Sequence, residues 1–174
     1  MKASVFIATS LDGFIARRDG ALDWLPAGGG EPHGYEEFIA TVDAIVIGRQ
    51  TFETVLTFET WPYGTKPVVV LSSTPGALRA PAGAVCEFMS GCPLDIVERL
   101  SARGFTHLYV DGGITIQRFL DGGLIQRVII TRIPVLLGDG IPLFGALRRD
   151  IRLQHVGTRA FPSGMVQSEY IIAA

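Results

Sequence analysis

Three short stretches of this chain carry residue types suited to holding an anion. In Leu108-Tyr109-Val110-Asp111-Gly112-Gly113-Ile114-Thr115, a buried strand meets a glycine pair and then a helix. Adjacent glycines allow a sharp turn and leave no Cβ in the way of a ligand. The free N–H groups and dipole of the following helix favour a negative charge there. The other reading is a tight strand-to-helix turn with nothing bound. Gly48-Arg49-Gln50-Thr51 is a second strand–glycine–helix junction, with a cation beside it. Leu71-Ser72-Ser73-Thr74 ends a third strand in hydroxyls. Ligands of open α/β sheets bind beyond the carboxyl ends of strands, so the three stretches together suit a dinucleotide with an extra phosphate. The bland alternatives are that Ser72, Ser73 and Thr74 cap a turn and that Arg49 is a surface cation.

Other chemistries find less in the chain. His33, His107 and His155 are scattered, without the close spacing of a metal site, and are expected at the surface or at strand edges. There is no G-x-S-x-G elbow and no P-loop. Gly138-Asp139-Gly140 lacks the third glycine of a dinucleotide fingerprint.

The elements that must position these stretches follow from the apolar pattern. Strands are expected over Ser4 to Thr9, Ala44 to Ile47, Val68 to Leu71, Val85 to Met89 and Gln126 to Val135, with a short extended piece at Phe14 to Ala16. Helical spacing runs from His33 to Val42 and from Phe52 to Leu56. A helix from Pro93 to Arg103 has proline first and Gly104 as its stop. Thr115 is the expected N-cap of the helix after the glycine pair, and Gly122 its end. Ile151 to Thr158 and Met165 to Ile172 form a closing antiparallel hairpin around Pro162-Ser163-Gly164. Gly138 to Pro142 reads as loop, as does Pro26 to Pro32 with its three glycines. Strands alternating with helices imply an α/β three-layer fold, mostly parallel, with helices on both faces and an antiparallel edge.

Composition limits the classes. Of 174 residues, 48% are hydrophobic and 18% charged, so residues 1–174 are expected to fold as one domain with a sizeable core. The net charge of −2 and the lack of a Lys/Arg run argue against nucleic acid. No apolar run is long enough to span a bilayer. Cys86 and Cys92 match neither a zinc nor a redox motif. With no signal-peptide layout at Met1 to Ala8, a cytoplasmic protein is expected.

Ile47-Gly48-Arg49-Gln50-Thr51-Phe52, Leu71-Ser72-Ser73 and Val110-Asp111-Gly112-Gly113 resemble the cofactor motifs of dihydrofolate reductases, in the same order and with the same closing hairpin. Ser10-Leu11-Asp12-Gly13 and the Gly113 region are closer to the reductase domain of bacterial riboflavin biosynthesis, which reduces 5-amino-6-(5-phosphoribosylamino)uracil. The resemblance covers nearly the whole chain and is closest to stand-alone members of the superfamily. It implies a dihydrofolate reductase-like fold and a homodimer. NADPH is the implied cofactor, held by Gly48, Arg49, Gln50, Thr51, Leu71, Ser72, Ser73, Asp111, Gly112, Gly113, Ile114 and Thr115. Two departures stand out. If the pocket phenylalanine of dihydrofolate reductases matches Phe38, their acidic residue one turn earlier falls on Gly34. The lysine four residues before the riboflavin-type serine falls on Phe6.

The resemblance implies a reductase of a small pteridine- or pyrimidine-type heterocycle; the alternative is a non-catalytic nucleotide-binding protein that kept the cleft. A reductase needs a wall for the nicotinamide and a proton source. Ala8 to Ile15 is the expected wall. Among Asp12, Asp23, Glu36 and Glu37, Asp12 ranks first as proton source and Glu37 is carried with it. Asp12 is equally an Asp-Gly turn residue, and the glutamates a solvated helix face. Trp24, Tyr35 and Phe38 are expected at the substrate. Tyr35 and Tyr109 can each donate a proton or sit in the core, and Trp24 can instead anchor its loop.

Overall fold

The computed structural model describes residues 1–26, 31–74, 76 and 78–173 of the chain. Its elements are β1 (Lys2–Ser10), β2 (Phe14–Ala16), α1 (Tyr35–Ala40), β3 (Ala44–Gly48), α2 (Arg49–Val55), β4 (Val68–Leu71) and β5 (Cys86–Met89). They continue with α3 (Pro93–Ala102), β6 (His107–Asp111), α4 (Gly113–Asp121), β7 (Arg127–Ile133), β8 (Ile141–Pro142), β9 (Leu153–Ala160) and β10 (Val166–Ile172). Gly28-Gly29-Gly30, read as loop, lies outside the described residues.

Eight strands make one sheet in the order β5-β4-β3-β6-β1-β7-β10-β9. The first six run parallel; β10 is antiparallel to β7, and β9 to β10. Both faces are covered, as parallel strands of such apolar sequence require. Successive side chains point to opposite faces. Thus Ala44 and Val46 of β3 join Ile96, Leu100, Ile116 and Phe119 of α3 and α4 in one core. Ile45 and Ile47 join Phe38, Phe52 and Val55 of α1 and α2 in the other. This is the mostly parallel three-layer fold with an antiparallel closing hairpin that the pattern implied.

Several boundaries differ from the sequence reading. α1 begins only at Tyr35, because Gly34 takes a left-handed conformation with φ 80°. The Thr41 hydroxyl donates to the Phe38 carbonyl (2.7 Å) just past its last turn. α4 begins two residues before Thr115: Gly112, φ 91°, is the N-cap, and Thr115 is buried inside the first turn. Ile141–Pro142, read as loop, pairs with β2 as a small separate ribbon. α3 carries a cap the sequence reading missed: Cys92 Sγ accepts from the Asp95 N–H (3.5 Å), and the Asp95 carboxylate accepts from the Cys92 N–H (3.3 Å). His107, expected at the surface or at a strand edge, lies buried at the start of β6, within hydrogen-bond distance of Ser4 Oγ (2.8 Å) and the Thr41 carbonyl (2.9 Å).

Register brings the predicted motifs together. Ile47 is paired with Asp111, so Gly48 and Gly112 leave the sheet side by side. Each glycine faces a threonine of the other junction. A Cβ on Gly48 would stand 2.8 Å from Thr115 Oγ1, and one on Gly112 would overlap Thr51 Oγ1. The starts of α2 and α4 therefore interlock through two glycine–threonine contacts. Gly112→Ala is expected to cost about 2–4 kcal/mol in urea unfolding, from overlap plus a strained backbone. Gly20→Ala, also at positive φ (88°) but with open space around it, is the comparator. It should lose only the left-handed penalty of about 1–2 kcal/mol. Equal losses would remove the contact with Thr51 from the account.

Candidate functional site

A cavity of about 570 Å³ opens at the carboxyl ends of β3, β4 and β5. Its floor is one register row of the sheet, Gly48 beside Leu71 beside Met89. Arg49 and Gln50 stand on one side, Ser72 and Ser73 beyond β4, and Ser90, Gly91 and Pro93 beyond β5. Ile114, Thr115, Arg118 and Phe119 of α4 form the opposite wall. The first N–H groups of this nine-residue helix have no partner within it, since the first helical bond runs from the Ile116 N–H to the Gly112 carbonyl (2.8 Å). They make the helix start suited to an anion.

Arg49 is already engaged. Its Nε donates to Glu53 Oε1 (2.7 Å) and its Nη1 to Thr74 Oγ1 (3.3 Å), with the side chain about half exposed. The guanidinium is thus held toward the hydroxyl-rich end of β4. Ser72 Oγ accepts from the Thr74 N–H (3.1 Å), so this serine both caps a turn and lines the cavity. The turn-capping reading of the serine stretch thus holds at that residue, which also faces the cavity.

The cavity takes in Gly48, Arg49, Gln50, Leu71, Ser72, Ser73, Ile114 and Thr115 of the predicted cofactor set. Thr51, Asp111, Gly112 and Gly113 are not among its lining residues. The glycines do not keep space open for a ligand: the place of each missing Cβ is taken by protein atoms, Thr51 at Gly112 and Ile15 Cδ1 (3.0 Å) at Gly113. They permit close approach of packed elements. Ile15 accordingly packs on the start of α4. Arg118, Met89, Ser90, Gly91 and Pro93 were not foreseen. Arg118 had a signal, lying four residues after Ile114 on one helix face; the β5 residues needed the strand order.

A second cavity, of about 850 Å³, lies beyond β1 and β7. Phe6 and Ala8, Thr131 and Ile133, the segment Glu31 to Glu37, and Ser163 with Met165 line it, together with Leu25 and Pro26. Ala8, expected at the cofactor, lies here. Tyr35 and Glu37 line it as expected. Phe38 does not. It is buried among aromatic rings, its centroid 5.0 Å from that of Phe6 and 5.1 Å from that of Tyr109, because α1 presents it to the sheet. Trp24 packs with Ile133, Phe161 and Met165, anchoring its loop rather than lining the cavity.

The acids separate clearly. Asp12 Oδ1 accepts from Ser10 Oγ (2.6 Å) and the Leu137 N–H (3.2 Å), and Oδ2 from the Gly138 N–H (2.7 Å). These bonds, that of Ser10 foremost, hold its carboxyl below the usual range. Asp12 therefore ties two loops together and has no proton to give near neutrality, which corrects its ranking as proton source. Asp23 is held low by Arg17, at 2.6 Å. Asp111 goes the other way. At the carboxyl end of β6, between the strands serving the two cavities, its carboxyl is pushed up to about 6 by burial, against the Gly112 N–H bond (2.8 Å) that favours its charge. Tyr35 is raised to about 12 by burial and then by the charge of Asp111. Tyr109, raised further by burial, donates its hydroxyl proton to the Phe6 carbonyl (2.9 Å) and is a core residue.

Among the described residues no three or more His, Cys, Asp or Glu are grouped to hold a metal ion, and no helix is long and apolar enough to cross a membrane.

The chain resembles proteins of known sequence and structure throughout its length. It is 35% identical over 175 residues to the Bacillus subtilis protein YwjB, covering 99% of this chain and 98% of that one. A Shewanella sp. PV-4 structure, assigned by name to riboflavin biosynthesis, superimposes with TM-score 0.90 at 40% identity, with 100% of both chains covered. The Thermotoga maritima deaminase/5-amino-6-(5-phosphoribosylamino)uracil reductase shares the fold at TM-score 0.77 and 16% identity, over 99% of this chain and 56% of that one. So does Enterococcus faecalis dihydrofolate reductase, solved with NADP(H), at TM-score 0.64 and 17% identity over 99% and 97%. The model of the RibD C-terminal domain matches residues 2–167, and the chain belongs to that family.

Proposed function

We propose that this chain is an NADPH-dependent reductase of a small pteridine- or pyrimidine-type heterocycle. The observation that carries the reading is the pairing of an anion-suited cavity with an aromatic-walled one, separated by the carboxyl end of β6. The donor set of the first cavity fits NADPH. The open N–H groups of α4 suit its diphosphate, and Arg49 with Ser72 and Ser73 suits its 2′-phosphate. When bound, the cofactor supplies hydride. The chain's own part is to position the rings and to hold a proton, and Asp111, at the end of β6 and outside the lining of both cavities, is the carboxyl that burial raises to about 6, so that it keeps a proton below that pH. Glu37 on the wall of the second cavity is the alternative donor.

A non-catalytic nucleotide-binding role has one observation in its favour: Gly34 stands where the dihydrofolate reductase resemblance places an acid. Oxidation of NADPH against a panel of dihydropterins, dihydrofolate and aminopyrimidines separates the two. Turnover of at least one member is expected, with dihydrofolate weak or inactive. Binding of NADPH without turnover of any member would favour the second reading.

Asp111 makes the pH dependence specific. Its carboxyl sits at about 6 in the fold, against an ordinary 3.8. The neutral form is therefore favoured by folding. That contribution is complete below pH ~4 and is lost as pH rises through ~6. Asp111→Asn should gain about 2–3 kcal/mol at pH 8 relative to pH 4, from ~1.36 kcal/mol per unit. Turnover of the wild type should fall above pH ~6, and the variant, with no proton to give at this position, should be slow at every pH. A variant with the wild-type pH profile would move the proton to Glu37.

Arg49 tests cofactor choice. Since Glu53 already neutralises part of its charge, Arg49→Ala should weaken NADPH by about 1.5 kcal/mol, or tenfold, and leave NADH unchanged. Titrations with both cofactors at one salt concentration decide it. Equal weakening would place Arg49 at the diphosphate, and no change in either would remove it from the site.

A further inference from the structure

The second cavity bears on which heterocycle is taken, an inference that rests on the reductase reading and narrows it. Among the described residues its lining holds three acidic side chains, Glu31, Glu36 and Glu37, and neither lysine nor arginine. Glu31 is fixed in place: its Oε2 accepts from Ser163 Oγ (2.6 Å) across the mouth. Arg159 rests on the ring of Phe161, its guanidinium carbon 5.0 Å from the centroid, and is not among the lining residues. The β1 wall is the aromatic Phe6, edge-on to Tyr35 with centroids 5.6 Å apart. A ring sliding between such walls gains stacking and apolar burial. A phosphate there would meet three carboxyl side chains and, among the described lining residues, no lysine or arginine to offset them.

The same cavity does offer neutral polar handles. Thr131 Oγ1, buried, accepts from Gln167 Nε2 (2.9 Å), which leaves the threonine's own proton free to donate. His33 has a buried Nδ1 without a hydrogen-bond partner among the described residues, and its ring stacks on Phe161 at 4.9 Å. A buried polar atom without a partner is costly unless a ligand supplies one. The Gln167 amide also donates to the His33 carbonyl (2.9 Å), so the histidine and threonine are held in fixed relation.

We propose that this cavity takes a flat heterocycle with no phosphate and no net negative charge, read by Thr131 and His33, and that it rejects phosphoribosyl-bearing substrates. The measurement is calorimetric titration of the NADPH-saturated protein with 5-amino-6-(5-phosphoribosylamino)uracil and with its dephosphorylated form. The dephosphorylated ligand should bind at least tenfold more tightly. Glu36→Gln with Glu37→Gln, at exposed positions that leave the core intact, should shrink that gap at least threefold. Phe6→Lys, if it folds, should narrow it further. Equal or tighter binding of the phosphorylated ligand would overturn the proposal, and so would binding of neither at millimolar concentration. NADPH binding is read in the same samples from the cofactor's fluorescence. Loss of that signal with the preference intact would remove the reductase reading and uphold the cavity's selectivity. NADPH bound with the phosphorylated ligand preferred would remove the selectivity alone.

Discussion

Two glycine–threonine contacts decide where everything else in the candidate site can stand. Gly48 makes room for Thr115, and Gly112 makes room for Thr51. Without a Cβ at either glycine, the starts of α2 and α4 approach until side chain touches backbone. The pairing of Ile47 with Asp111 sets the two junctions level. From that point Arg49 is aimed along β4, and the first turn of α4 is aimed across the same floor. A loss of close packing here would act at the cavity through both walls at once, since interiors at native density transmit small displacements.

The sheet then divides labour by strand. β3, β4 and β5 end in glycine, hydroxyls and a turn, on a cavity with a polar rim. The later halves of β1 and β7 present aromatic, aliphatic and hydroxyl side chains to the other cavity. β6 lies between them and ends in Asp111, whose carboxyl is destabilised as an anion by its burial. The fold tolerates that cost where the proposed chemistry needs a proton, a common place for strain of this kind. The other aspartates of shifted pKa are held low by hydrogen bonds and ion pairs, and serve the architecture.

Much of this was legible in the residue order. Apolar runs bounded by glycine and serine marked the strands, and the ends of β3 and β4 line one cavity together with Ile114 and Thr115, while Asp111, Gly112 and Gly113 are not among its lining residues. The purpose of the glycines was not legible: Gly112 and Gly113 look the same whether the missing Cβ leaves room for a ligand or for Thr51 and Ile15. Nor was the fate of Asp12, because its partners at Leu137 and Gly138 lie more than 120 residues away. Phe38 was placed at the substrate by the family resemblance and Trp24 by its aromatic type, with loop anchoring as its alternative, while their orientation depended on the sheet beneath them. Arg118 and the end of β5 entered the site through strand order, which local pattern does not encode. Asp111 was expected at the cofactor, yet it lines neither cavity, and its raised pKa comes from burial that only the assembled fold supplies.

We propose that the interlocked junctions hold NADPH at the ends of β3 and β4. Amide spectra of isotope-labelled protein, recorded through an NADPH titration, test it most directly. The account expects the largest shifts at Gly48 to Gln50, at Ser72 and Ser73, and at Ile114 and Thr115, saturating together. Shifts confined to the surroundings of Phe6, Tyr35 and Thr131, or no shift at millimolar cofactor, would contradict it.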